Sequence, residues 1–236
     1  MLILALDTTT RAGSVAVLRT VAVLRSADVL YEHSGDPSLT HGQRLPGDLI
    51  QACAAAGVSI ADVELFAVAA GPGSFTGLRI GIATMQGLAM ARGGRIVPVS
   101  TLEAIAAAAP EGPPTIAAWM DAQRGEVFAQ VFERDAGQAR AISSAIAAVP
   151  AVVLQQHEQW LRGATFEGDG AVRYRQEIER GIGGSARVAD RVPHLAVAIG
   201  RIAAAAPERG VLPHAVVPIY VRRPDAEIAR DRRAGA

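Results

Sequence analysis

Lysine and asparagine are absent from this chain of 236 residues, and all 23 of its basic side chains are arginine. The missing lysine excludes a phosphate-binding P-loop lysine, a Schiff-base lysine and a lysine general base. Without asparagine there is no N-glycosylation acceptor. Cysteine is nearly absent too. Cys53 alone excludes an internal disulfide and fits a reducing compartment, so a cytoplasmic location is expected. Aromatics make up only 4% of the chain, so Ala, Val, Leu and Ile must build the core, which suits helices packed on a Val/Ile-rich sheet. No apolar run reaches the ~18 residues that span a bilayer. The alanine-rich stretch Ala104–Ala109 is broken by Pro110, and no membrane association is expected. Net charge is also lacking: 23 acids balance the 23 bases. No global field draws the protein to nucleic acid, so any RNA contact must be local or made through a partner.

What is present has an α/β rhythm. Met1–Leu6 runs into Asp7 with no basic region or small-residue cleavage site, and reads as a first strand rather than a signal peptide. Across the polar turn Asp7–Gly13, Ser14–Leu18 makes a hairpin with it. VAVLR occurs at Val15–Arg19 and again at Val21–Arg25. The offset of six is even, so the second copy lengthens the hairpin without inverting its faces. A further strand follows at Val29–His33. Leu45, Leu49, Ala52, Cys53 and Ala56 recur at helical spacing, ended by Gly57. Leu65–Ala70 reads as a buried strand. A second helix, about Gly77 to Arg92, carries the stripe Leu78, Ile82, Met85 and Ala89. Ile96–Val99 is a strand and Thr101–Ala109 a helix, with Ser100 or Thr101 as N-cap.

The segment Pro110–Pro114 divides the chain into an N-terminal lobe, 1–109, and a C-terminal lobe, 110–236. The second half opens as the first does, with strand 115–121, turn 122–125 and strand 126–133, a hint of structural duplication. Later come a helix near 152–162, a glycine turn at Gly168–Gly170 and a helix over 194–206. The mixed-charge tail from about 222 is expected to be solvated and flexible.

The most specific segment is Gly71-Pro72-Gly73-Ser74-Phe75-Thr76-Gly77, joining a buried strand to an amphipathic helix. Amides at such a helix N-terminus can receive an anion. The spacing is neither a Rossmann fingerprint nor a P-loop, and Ser74 is not in a nucleophile elbow. The plainer reading is a tight βα connection whose glycines allow close packing. Asp7-Thr8-Thr9-Thr10 could wrap a phosphate and its metal, or could cap its own turn. The histidines are His33, His41, His157, His194 and His214. No two lie four apart, so no helical metal pair exists, and no metal site is expected. Ser74, His41 and Asp7 can be assembled into a hydrolase triad on paper, but a chain of this size always offers such a triplet.

Together these residues resemble the TsaB (YeaZ) family, a bacterial subunit of the machinery that makes N6-threonylcarbamoyladenosine in tRNA. Asp7-Thr-Thr-Thr, His41 before the first long helix and AGPGSFTGLRIGIATMQGLA at Ala70–Ala89 carry the resemblance. It continues through Pro98-Val-Ser-Thr-Leu-Glu-Ala and Met120-Asp-Ala-Gln-Arg-Gly-Glu-Val-Phe to Pro218-Ile-Tyr-Val-Arg. The second VAVLR copy, Gly42 after His41 and the pair Gln123-Arg124 depart from the family's usual pattern.

The resemblance implies an α/β fold of the actin-like ATPase superfamily (RNase H-like), two-lobed, with duplicated mixed-sheet lobes. It implies a non-catalytic subunit with no catalytic residue and no metal. Its partner would be TsaD, which transfers threonylcarbamoyl to N6 of adenosine 37 of tRNA. The pair would recruit the ATPase TsaE, reach tRNA only through the complex, and involve ATP and magnesium only at that level. Alone, the chain would form a homodimer. The expected interface is the two helical stripes, Leu45, Leu49 and Cys53 with Leu78, Ile82, Met85 and Ala89, forming half of a four-helix bundle. Some of these side chains must also face their own sheet. The alternative is an ATP-binding or ATP-hydrolysing enzyme, or a peptidase-like one, of the glycoprotease group.

Overall fold

The first apolar run is a strand because every one of its side chains is buried: β1 (Leu2–Asp7) lies between two layers of helices. It pairs antiparallel with β2 (Ser14–Val21), and β2 pairs antiparallel with β3 (Ser26–Ser34). The computed structural model describes residues 1–21, 26–135, 138–183 and 186–222. Most of the second VAVLR copy and the charged tail beyond Arg222 lie outside the described residues. The chain continues through α1 (His41–Ala55) into β4 (Leu65–Gly71), then through α2 (Phe75–Arg92) into β5 (Arg95–Ser100). β4 runs parallel to β1, and β5 parallel to β4, giving the order β3-β2-β1-β4-β5. Continuous apolar runs suit these central strands, which are buried on both faces.

The second half repeats this plan. β6 (Thr115–Asp121) pairs antiparallel with β7 (Val127–Asp135), and β7 with β8 (Gln138–Ala141). The short β9 (Ile146–Ala148) also pairs with β7. After α4 (Pro150–Leu161), β10 (Thr165–Glu167) joins parallel to β6. After α5 (Asp169–Arg173) and α6 (Arg175–Ile182), β11 (Arg187–Val188) joins parallel to β10. Read from β8, the order is β8-β7-β6-β10-β11, the same arrangement as in the first sheet. Two mixed sheets of one topology in one chain make this the two-lobed actin-like ATPase fold.

Three apolar clusters fill the layers. α1 and α2 cover the outer face of the first sheet, where Leu45, Leu49, Leu78 and Met85 meet Leu4, Val17, Phe66 and Val68. On the outer face of the second sheet, Val153, Leu161 and Ile178 of α4 and α6 meet Trp119 and Phe166. Between the sheets lie α3 (Thr101–Ala108) and α7 (Ala196–Ala205), whose Leu102, Ile105 and Ile199 share one cluster with Ile3, Leu18, Ile116 and Phe132. Each central helix follows the last strand of its own sheet and packs on the other: α3 on β6, and α7 on β1, β2 and β3. Although α7 follows Pro110, it therefore sits against the first sheet, because only its return fills that sheet's inner face. Alanine-rich helices suit this layer, since small side chains let two sheets close on one helix pair. A Cβ on Gly200 would lie 2.2 Å from Leu18 Cδ1.

Candidate functional site

The turn after β1 bonds to itself. Asp7 Oδ1 accepts from the Thr9 amide at 2.8 Å and the Thr9 hydroxyl at 2.5 Å, while Oδ2 accepts from the Thr10 hydroxyl at 2.7 Å. Thr8 Oγ1 donates to the carbonyl of Gly77 at 2.8 Å. Carboxylate and hydroxyls, the groups that could wrap a phosphate, are thus engaged in holding the turn and docking it on α2. The three threonines are close neighbours of Asp7 in sequence, which is what lets an aspartate cap its own turn.

The glycine-rich segment packs onto that turn. The Ser74 amide donates to the Thr9 carbonyl at 3.0 Å, and Ser74 Oγ caps α2 by accepting from the Gly77 amide at 3.3 Å. A Cβ on Gly73 would lie 2.5 Å from Thr9 Cβ, and one on Gly77 would lie 2.1 Å from the Thr8 carbonyl oxygen. Gly71, with φ +112°, has the Ile219 carbonyl oxygen 2.5 Å from its missing Cβ. These glycines are needed because three backbones meet here: the Asp7 turn, the loop into α2 and the C-terminal segment. Pro72 is buried and follows a cis peptide bond, while Phe75 and Thr76 are exposed.

His41 closes the other side of the turn. Its Nε2 lies 3.1 Å from the Thr10 carbonyl, and Arg44 reaches its Nδ1 at 2.8 Å. Arg44 is buried and also bonds Asp48 and the Ala12 carbonyl, so α1 is riveted to the β1–β2 hairpin. Burial, reinforced by the Arg44 charge, lowers the pKa of His41 from its ordinary value.

The second lobe presents an equivalent turn. Asp121 ends β6 as Asp7 ends β1, and its carboxylate accepts from Gln123 and from Arg173 at 2.9 Å. Asp169 Oδ1 accepts from the Asp121 amide at 3.0 Å, and burial raises its pKa above the usual carboxylate value. The two turns face each other across a cleft of about 790 Å³ lined by Thr10, Ser74, Asp121 and Asp169 among others. Asp121, Asp169 and Arg44 escape sequence reading as site residues. The one available signal is the pair of strands LILALD and TIAAWMD, each ending in aspartate.

A strap crosses the mouth of the cleft. Val211 bridges Ile96, the Ile219 amide donates to the Ala70 carbonyl, and Arg222 reaches Glu126 at 2.7 Å and the Ala122 carbonyl at 3.1 Å in the other lobe. Tyr220 stacks on Phe75 with ring centroids 5.9 Å apart, and the Arg79 guanidinium lies 3.9 Å above the Phe75 ring.

The seven stripe residues expected at an interface are all buried. Leu45, Leu49 and Cys53 on α1, with Leu78, Ile82, Met85 and Ala89 on α2, face their own sheet and are at most 5% exposed. This corrects the expectation that they form a docking face. An apolar stripe at helical spacing records the side that covers the sheet, and here the whole stripe is consumed in doing so. The outward side is different. Ile50 is 63% and Met90 68% exposed, and Gly47, Ala83 and Gly87 are exposed beside them. Burial raises the pKa of the Cys53 thiol, so it is an inert core side chain. Among the described residues no three His, Cys, Asp or Glu gather where they could hold a metal ion, and no helix is long and apolar enough to cross a membrane.

Comparison with known proteins agrees with this geometry. Residues 36–175 match the family model "TsaD: tRNA N6-adenosine threonylcarbamoyltransferase". The tRNA threonylcarbamoyladenosine biosynthesis protein TsaB of Escherichia coli K12 is 36% identical over 137 residues, 57% of this chain. That match spans about half of the curated relative, 56% of its length. The TsaB protein of Bacillus subtilis 168 is 28% identical over 215 residues, covering 88% of this chain and 90% of that one. The solved structure of YeaZ from Pseudomonas aeruginosa superposes with a TM-score of 0.76 at 30% identity, covering 93% of this chain and 99% of that one. A two-lobed actin-like protein with a self-capped Asp7 turn and this glycine-rich loop is the class that the fold defines. Within it, the chain belongs to the TsaB (YeaZ) family.

Proposed function

We propose that this chain is the non-catalytic subunit that binds and activates TsaD in the complex transferring threonylcarbamoyl to N6 of adenosine 37 of tRNA. Family membership supports a role in threonylcarbamoyladenosine biosynthesis. The observation that carries the binding role is the outer face of α1 and α2. There two long apolar side chains, Ile50 and Met90, stand in water beside exposed Gly47, Ala83 and Gly87. Small residues let a second helix pair approach closely, and the exposed apolar side chains supply area to bury. In this reading the interface residues are these outward ones, TsaE joins the assembled pair, and tRNA is met through the complex. In the absence of TsaD the same face closes a homodimer.

A nucleotide-hydrolysing role would use the cleft between Asp7 and Asp121. The Asp7 carboxylate and the hydroxyls of Thr8, Thr9 and Thr10 are already bonded within the protein, which favours the binding-subunit reading. Light scattering on a sizing column tests it, with the chain alone and mixed with TsaD from the same source. A one-to-one complex is expected. Failure to form any complex, with or without magnesium and ATP, would sink the proposal.

A further inference from the structure

A second crevice, of about 650 Å³, lies where the two lobes meet away from the Asp7 cleft, bounded by Glu32, Pro110, Glu167, Arg187 and His194. We infer that it binds a small organic ammonium ion, with the Glu167 carboxylate as its anchor.

The strand pattern puts Glu167 there. Along β10, Phe166 enters the outer core against Trp119, so Thr165 and Glu167 share the opposite face, paired with Ile116 and Ala118 of β6. Glu167 is only 3% exposed. Among the described residues its carboxyl group has no hydrogen-bond or ion-pair partner. The buried Asp7, by contrast, accepts three bonds. The cation that acts on Glu167 is Arg134, but its guanidinium bonds the Pro110 carbonyl at 2.8 Å and the Ala109 carbonyl at 3.3 Å. The side chain is buried while its carboxyl group opens on the crevice without a protein donor, so a ligand bringing N–H donors finds a free acceptor there.

Glu167 sets the ligand's sign, as the one buried charged group in the lining. Glu32 and Asp190 also line the space but are exposed, with Glu32 3.4 Å from His194 Nδ1 and Asp190 2.9 Å from Arg175, so water screens them. Arg187 and Arg191 are exposed at its rim. A hard divalent cation needs a cage of several oxygens, which one buried carboxylate does not make. An alkylammonium needs one strong acceptor and room for its carbon chain. Burial pushes the Glu167 pKa up to about 7, against the pull of Arg134. A bound cation favours the ionised form, so occupancy must bring that midpoint down.

The inference does not depend on the TsaD reading. Carboxyl-carbon NMR of the full chain tests it, following Glu167 across pH 5.5–9 in ethylammonium chloride, tetramethylammonium chloride and sodium chloride at matched ionic strength. Saturating ethylammonium is expected to lower the Glu167 midpoint by about one unit or more, a tenfold preference for the ionised form. Tetramethylammonium, which has no N–H, is expected to leave it in place. The same midpoint in all three salts overturns the inference. The near-isosteric Glu167→Gln should fold and lose the ethylammonium-dependent shifts of the Thr165 and Val188 amides; unchanged shifts would overturn it equally. This chain has no lysine to fill the crevice itself. Putrescine and acetyl-Gly-Lys-Gly-amide therefore separate a free amine from a lysine offered by another protein, and a shift with either supports the site.

Discussion

Arg44 donates to Nδ1 of His41 across 2.8 Å, and that bond fixes the protonation of the ring. A guanidinium can only donate, so Nδ1 carries no proton. The other nitrogen, 3.1 Å from the Thr10 carbonyl, must then be the N–H. His41 is held neutral between a permanent donor and a permanent acceptor, so its part in the fold is to rivet α1 to the β1–β2 turn rather than to exchange protons.

The consequence for stability has a definite sign. Burial and the Arg44 charge lower the pKa of His41 in the folded state. The unfolded chain therefore takes up a proton first as pH falls below about 6.5, and stability declines from there toward the folded-state midpoint. His41→Gln keeps a donor and an acceptor but does not titrate. Urea midpoints measured at intervals from pH 7.5 to 5 should fall less steeply for this variant below pH 6.5. Parallel curves would show that His41 is not held neutral.

Arg44 itself carries more of the load. Its side chain is buried against Asp48, the Ala12 carbonyl and Gly35, and a Cβ on Gly35 would overlap the guanidinium at 1.6 Å. Arg44→Ala leaves Asp48, with a side chain 12% exposed, facing only His33 at 3.8 Å as a cationic partner among the described residues. Breaking a buried pair in this way costs roughly 3–5 kcal/mol. Chemical denaturation should show a loss of that order, against less than about 1 kcal/mol for Arg140→Ala at the exposed pair with Glu133.

At Gly71 the test is local. The Ile219 carbonyl occupies the space of a side chain, and the backbone φ is one that glycine adopts readily. Gly71→Ala should displace the strap before it disturbs the sheet, because β4 is anchored on both sides by β1 and β5. Hydrogen exchange at the Ile219 amide, which bonds the Ala70 carbonyl, should rise at least tenfold, while the β4 amides stay protected. Exchange unchanged at Ile219 would mean that the strap is not held at this crossing.

Much of this architecture was legible because long elements carry a period. Leu78, Ile82, Met85 and Ala89 mark α2, and LILALD marks a strand buried on both faces. The repeated strand–turn–strand after Pro114 pointed to duplication. Strands of two or three residues, such as β10 and β11, carry no period at all, and only pairing defines them, β10 with β6 and β11 with β10. The glycine-rich loop was legible as a special place but not as a contact, since Thr9 and Ile219 approach it from distant parts of the chain. The interface reading failed for a physical reason: periodicity reports what is buried within the chain. The signal for an outer face is the residue that breaks the stripe, such as Ile50, set among Gly47, Gln51 and Ala54. Glu167 was silent, because a carboxylate in a short segment looks solvated until the fold buries it.

Core and docking face can therefore be separated by four substitutions. Leu78 and Met85 are at most 1% exposed, so Leu78→Asp or Met85→Asp places a charge inside the outer core of the first lobe. Each should cost about 4 kcal/mol or more and yield aggregated or unfolded protein, which says nothing about partners. Ile50→Asp and Met90→Asp place the charge where water already reaches, and each should change stability by less than about 0.5 kcal/mol. If the outer face of α1 and α2 meets TsaD, the Ile50→Asp, Met90→Asp double variant should unfold at the temperature of the parent chain. It should elute as a monomer, and it should fail to restore threonylcarbamoyladenosine to tRNA in extracts lacking the chain. Full restoration by this well-folded variant would move the partner surface elsewhere on the molecule, and the aromatic cluster of Phe75, Arg79 and Tyr220 would be the next place to look.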